Sequence, residues 1–258
     1  MRHAPFLSSF AIASALLFPL LIYAEDGSGP TEKVLLHWNP KGGFRITSTL
    51  KQEIKESPTP TSMTNRIECE CEAQDELKAL RLRLLSLDGE GIFKGNKTVF
   101  HLKRGKEPNL EVVDPKDLKE IRQMASLVEA DLAARLTTTG QLTVVIKGSD
   151  EREMPGAALG LILPRLPVNP VAVGETWSVQ EQLPLPGPDL EATLTFRLER
   201  VTDTEAHVSI VVAPDGKGEL VYSRKEGLVQ TYSVTARKQG RGDKVMTVSQ
   251  TMSVEPIR

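Results

Sequence analysis

Histidine, cysteine and aromatic residues are all scarce in this chain, and each shortage removes a class of function. Of 258 residues only 4 are His. Outside the first two dozen residues these are His37, His101 and His207, far apart and without H-x-H or H-x-x-x-H spacing. Metal sites normally show at least one close ligand pair, so each reads as an ordinary strand histidine and no metal is expected. There is no G-x-S-x-G elbow, no phosphate-binding glycine loop and no dinucleotide fingerprint, so no catalytic residue and no cofactor is nominated. The 34 acidic residues always permit carboxylate pairs, but none is singled out. Trp38, Phe44, Phe93, Phe100, Trp177, Phe196, Tyr222 and Tyr232 are the aromatics beyond the N-terminal run, too few for the stacking platforms of a sugar-binding surface. Lys and Arg nearly balance Asp and Glu, with a formal net charge of −2 and no basic stripe, which argues against a nucleic-acid partner.

What is present begins with an apolar run. Arg2 and His3 precede Ala4–Ala24, which carries no charge and then turns polar at Glu25-Asp26-Gly27-Ser28. A positive start, an apolar middle and a small residue before a polar break form a secretory leader, residues 1–24. Its removal takes away Arg2 and moves the formal charge from −2 to −3. The run is also long enough to cross a bilayer, so an uncleaved N-terminal anchor is the alternative. Either way the remainder is expected outside the cytoplasm, periplasmic or secreted, with no second span of membrane length. Residues 25–32 read as a flexible linker.

The two cysteines lie in Ile67-Glu68-Cys69-Glu70-Cys71-Glu72, a strict alternation that puts Ile67, Cys69 and Cys71 on one face of a strand. They read as small core residues. A disulfide between Cys69 and Cys71 is not expected, because bridging one intervening residue in an extended strand is strained.

Alternation recurs throughout, with turns too close together for parallel crossovers, so the sheet should be antiparallel. Blocks also recur in order at a spacing near 127 residues. Asp88-Gly89-Glu90-Gly91 corresponds to Asp215-Gly216-Lys217-Gly218, each after an alternating apolar run. The two D-G-x-G runs read as turns. The expected fold is mainly β, with duplicated, curved antiparallel sheets or half-barrels. Its parts are an N-terminal repeat over 33–113, one long helix near 115–136 within 114–136, and a C-terminal repeat over 137–258. Asp114 can cap that helix and Pro115 suits its first turn. Leu118, Ile121, Met124, Ala125, Val128 and Leu132 form an apolar stripe that a sheet's concave face would cover.

The most apolar stretch beyond the leader is Pro155–Pro164, a buried strand or short helix in one reading and a wedge over an apolar cavity in another. It leads into Leu166-Pro167-Val168-Asn169-Pro170-Val171-Ala172-Val173-Gly174-Glu175-Thr176-Trp177. This phrase resembles the LP-x-x-P-V-x-V-G-x-x-W signature of a family of exported bacterial β-rich proteins of unknown function. The resemblance implies an extracytoplasmic β domain and assigns no site residues.

Two functions compete, with an enzyme on scattered carboxylates a distant third. One is a structural or protein-interaction module with a filled core, which needs an exposed apolar patch or open sheet edge. The other is a carrier for an apolar ligand or lipid, for which Leu159, Leu161, Leu163 and Trp177 are the candidate contacts. A carrier needs an internal cavity lined by the helix and by that apolar stretch.

Overall fold

The computed structural model describes residues 32–257 apart from 56–60, 74–78, 94–95, 114, 116, 147–151, 184–189 and 240–243. The leader, most of the linker and Asp114 therefore lie outside the described residues. The elements in order are β1 (Phe44–Lys55), β2 (Thr61–Ala73), β3 (Leu80–Phe93), β4 (Asn96–Lys103), β5 (Asn109–Val112), α1 (Leu118–Glu129), β6 (Asp131–Leu136), β7 (Leu142–Ile146) and β8 (Arg152–Pro155). After a short 3-10 turn at Gly156–Leu159 come β9 (Thr176–Leu183), β10 (Leu190–Val201), β11 (Glu205–Ala213), β12 (Asp215–Ser223), β13 (Leu228–Gln239) and β14 (Val245–Pro256).

The strands join one curled antiparallel sheet in the order β8-β7-β6-β3-β2-β1-β14-β13-β12-β11-β10-β9, with β4 branching from β3 and β5 pairing with β4, and the sheet does not close into a barrel. The first and last strands meet at its centre, with Phe44 opposite Pro256 and Lys55 opposite Val245. β3 serves two partners. Its first turn-length pairs with β6 (Leu80 opposite Ala134) and its second half with β4 (Gly89 opposite Phe100).

Period-2 alternation places one side chain in two on the inner face, and these form a single core. In β1, Phe44, Ile46, Ser48, Leu50 and Gln52 point inward. Ile67, Cys69 and Cys71 do so in β2, and both thiols are free and buried. The hydrogen bond with Cys71 and burial both push the Cys69 thiol well above its ordinary range, so it packs as a neutral core group. The outer face of β1, β2, β3 and β6 carries a charge ladder instead. Arg45 Nη2 meets Glu70 at 2.7 Å, Arg83 pairs with Glu72, and Arg81 pairs with Asp131.

The helix is shorter than the stripe suggested. Ala130 is extended at φ −78° and ψ 147°, and Asp131–Leu136 is strand β6 rather than helix. Leu132 fits both patterns, being four residues after Val128 and two before Ala134. Pairing with β3 decides between them, and Leu132, Ala134 and Leu136 are buried on one strand face. Arg104 secures the transition: its Nη1 donates to the carbonyls of Val128 and Ala130, and its Nη2 donates to Asp131 at 2.7 Å. At the other end Asp117 makes no side-chain cap. It accepts instead from Thr98 Oγ1 of β4 at 2.9 Å, which ties the helix start to the sheet.

Neither D-G-x-G run is a turn. Asp88–Gly91 lies within β3 and Asp215–Gly218 opens β12. Both use glycine for close approach. A Cβ on Gly89 would lie 2.2 Å from the Phe100 ring, which rests across it, and one on Gly216 would lie 2.2 Å from the Thr235 carbonyl of β13. The runs do not occupy equivalent places, since one continues a strand and the other follows a hairpin.

Pro155–Pro164 forms β8's last residue, the 3-10 turn and then extended coil. Leu161, Ile162, Leu163 and Leu166 are buried. A buried coil has no ladder to satisfy its peptide groups: Leu161 N donates to the Gly156 carbonyl and Leu166 N to that of Thr139, and side chains serve others. Gln250 Nε2 of β14 donates to the Ile162 carbonyl at 2.7 Å, Trp38 Nε1 to Pro164 at 3.2 Å, and Trp177 Nε1 to Arg165 at 3.0 Å. These contacts lead the coil across the inner face from β14 to β9. Beyond it Val171 bridges to Val34, and Gly174 turns at φ +88° before Trp177 enters β9.

Candidate functional site

The coil seals one side of the inner face; the other side is hollow. A cleft of about 840 Å³ lies between α1 and the strands β1 to β4. Leu50 and Gln52 of β1, Met63 and Ile67 of β2, and Leu84 and Leu87 of β3 form its floor. Ile121, Met124 and Leu127 of α1 form the roof. Ile121 and Met124 belong to the apolar stripe visible in the sequence, and Leu127 extends it at the same three-residue spacing. Phe100 closes one side, and Met154, Ala157 and Leu159 close the far end.

The hollow follows from how the helix is seated. α1 packs on β3 and β4 rather than centrally over β1 and β2. Inner-facing groups near the start of β2 are consequently only half-buried, while Cys69 and Cys71 farther along the same strand are fully covered. Glycine adds room: Gly91 lines the cleft, and a Cβ there would meet nothing nearer than the Ser62 carbonyl at 3.5 Å.

Polar groups gather at the mouth. Glu90, Asn96, Thr98, Asp117 and Glu120 line it, and Glu90 pairs with Lys97 at 2.9 Å. The described lining residues include no histidine, cysteine, lysine or arginine. Among the described residues no group of three His, Cys, Asp or Glu side chains is placed to hold a metal ion. His101 illustrates this, since its Nδ1 faces Asp88 at 3.1 Å on the exposed outer face, away from the cleft lining.

The four residues nominated from sequence are divided by the structure. Leu159 lines the cleft. Leu161 and Leu163 are core residues, 1% and 4% exposed, and belong to the sealing coil. Trp177 stacks on Phe196 at 5.2 Å between ring centres and also lies off the cleft lining. The floor was missed because Leu50, Met63 and Leu87 look like any other inward strand residue. Only the three-dimensional offset of the helix leaves them uncovered.

No family model matches the chain, and no curated protein matches it. Among solved structures, the crystal structure of MucB in complex with MucA(peri) is similar at 14% identity, covering 85% of this chain and 94% of that one, with a TM-score of 0.14. The complex structure of Pseudomonas aeruginosa MucA/MucB is similar at 12% identity, covering 83% and 94%, with a TM-score of 0.11. TM-scores of this size do not establish a shared fold. Among the described residues no helix is long and apolar enough to cross a membrane.

Proposed function

We propose that this chain is a non-catalytic, extracytoplasmic binding module whose cleft holds the apolar tail of an amphiphile. The observation that carries the reading is the 840 Å³ hollow with an apolar floor and roof and a polar mouth. At about 30 Å³ for each water-sized group, such a volume takes one long acyl chain with space to spare. The leader-like N-terminus supports the compartment. The described lining holds no histidine, cysteine, lysine or arginine, which supports a holding role.

The competing interaction reading asked for an exposed apolar patch or an open sheet edge. Leu35, Val168 and Val173 are exposed apolar side chains, whereas the edge strands are short or blunted, β5 having only 4 residues. β8 has 4 residues and ends in proline. β9 carries Glu181 on its inner side, paired with Arg165 at 2.7 Å, and an inward charge disfavours docking of a further strand.

The test is titration calorimetry with uncharged alkyl maltosides of increasing chain length, below their micelle concentrations. Each methylene buried should contribute about 0.8 kcal/mol, about a fourfold gain in affinity, until the cleft is full. The variant Gly91→Leu should remain folded and lose binding at least tenfold (~1.4 kcal/mol), because Gly91 lines the cleft and a Cβ there makes only an ordinary contact, at 3.5 Å, with the Ser62 carbonyl. Affinity that is flat with chain length, or unchanged in Gly91→Leu, would remove the reading.

A further inference from the structure

Resting on that reading, we infer that the cleft selects by head-group charge and takes an amphiphile with one apolar tail and a cationic head. The charged side chains among the described lining residues are Glu90, Asp117 and Glu120, all acidic. They stand at the mouth and not on the floor. Asp117 precedes α1 and Glu120 lies in its first turn, one turn before Met124 and two before Leu127. Glu90, between Gly89 and Gly91 on β3, borders the cleft at its outer rim on the side of Asp88. A tail lying along Met124 and Leu127 brings its head to these carboxylates.

The opposing charges do not cancel them. Lys97 neutralises Glu90. The α1 N-terminus contributes about half a positive charge. Asp117 receives only the neutral Thr98 hydroxyl, and Glu120 has no ion pair among the described residues. Lys119 and Arg122 lie on the helix's other side, along a shallow surface depression with Pro115 and Gln123. The described residues of the mouth are left with about one to two negative charges. Among the described residues of the lining an anionic head would meet repulsion, with no lysine or arginine to receive it.

A small amphiphile fits better than a basic apolar peptide. A peptide brings backbone N–H and C=O groups that need partners when buried. The cleft presents side chains rather than a free strand edge, and its floor is mainly Leu, Ile and Met.

The experiment compares three ligands with the same twelve-carbon tail on the whole chain: dodecyltrimethylammonium, dodecyl maltoside and dodecanoate. Affinities are measured by calorimetry below micelle concentrations at low and at 300 mM salt. The ammonium ligand should bind about tenfold tighter than dodecanoate at low salt, with the maltoside between them and the gap shrinking at 300 mM. Glu120→Gln should cut that preference about threefold by weakening the ammonium ligand and strengthening dodecanoate, and these opposite changes separate a charge effect from a folding defect, which would weaken all three ligands together. Equal affinities for all three would overturn the charge selection while leaving the apolar cleft standing. Tightest binding of dodecanoate would overturn it by sign. No binding of any ligand would overturn both readings, and displacement of the ammonium ligand by a basic amphipathic peptide at lower concentration would assign the cleft to peptides.

Discussion

The inner faces of β9–β14 and of β1–β4 are built from the same alternating strands, yet one is sealed and the other hollow. The difference lies in what covers them. Coil 161–166 lies over the first, and its peptide groups require polar clamps from Gln250, Trp38 and Trp177. Helix α1 lies over the second and satisfies its own backbone, so its inner face can be wholly apolar. A coil cover binds the sheet beneath it through directed hydrogen bonds. A helix cover touches through side chains alone and can sit to one side, leaving space.

The strongest way to break this comparison is to truncate one large side chain on each side. Trp38 is 1% exposed and supports the coil, so Trp38→Ala should cost about 3–5 kcal/mol in denaturant unfolding. Met124 already borders empty space, and Met124→Ala should cost only about 1 kcal/mol. Equal costs would mean that both faces are packed alike.

A smaller effect sharpens the role of the clamps. Gln250→Leu keeps the volume but leaves the buried Ile162 carbonyl without its donor, at an expected cost of about 1–3 kcal/mol. A neutral outcome in the same denaturation assay would show that the coil needs no polar support from β14.

The smallest expected effects are electrostatic and appear with acid. Hydrogen bonding and pairing to Arg81 hold the Asp131 carboxylate below its ordinary value of 3.8, next to the end of α1. The Ala172 amide, and then Lys33, hold Glu175 below 4.5 at the entry to β9. Both carboxyls are depressed in the folded chain, so what they contribute is complete above those ordinary values and is lost as pH falls through the lowered ones. Thermal unfolding between pH 7 and 3 should show the decline setting in below about 4.5. The decline should weaken in Asp131→Asn, and an unchanged profile in that variant would remove Asp131 from the account.

How much of this was legible in the sequence depended on whether a residue's role is set locally. Alternation located the strand at Ile67–Glu72, within β2, and its inward cysteines, because a strand's faces follow from period alone. The helix was visible but overrun at Leu132, where both periods agree and only pairing with β3 chooses. D-G-x-G looked like turn chemistry because glycine's other use, close approach of a neighbouring ring or backbone, requires knowing the neighbour. Pro155–Pro164 was rightly singled out as apolar, yet it divides: Leu159 reaches the cleft, whereas Leu161 and Leu163 fill the sealed side. The cleft itself was the least legible feature, since an empty space has no residue of its own.

The pairing of β1 with β14 sets the order in which the chain can become a protein. Phe44 finds Pro256 only after nearly everything between them has been synthesised. Until then β1 has one strand neighbour, and the two halves of the sheet have no seam to join them. Contacts this distant in sequence make for slow folding. A nascent chain of this design stays open until its closing strand arrives, which leaves time for it to be threaded elsewhere before it folds.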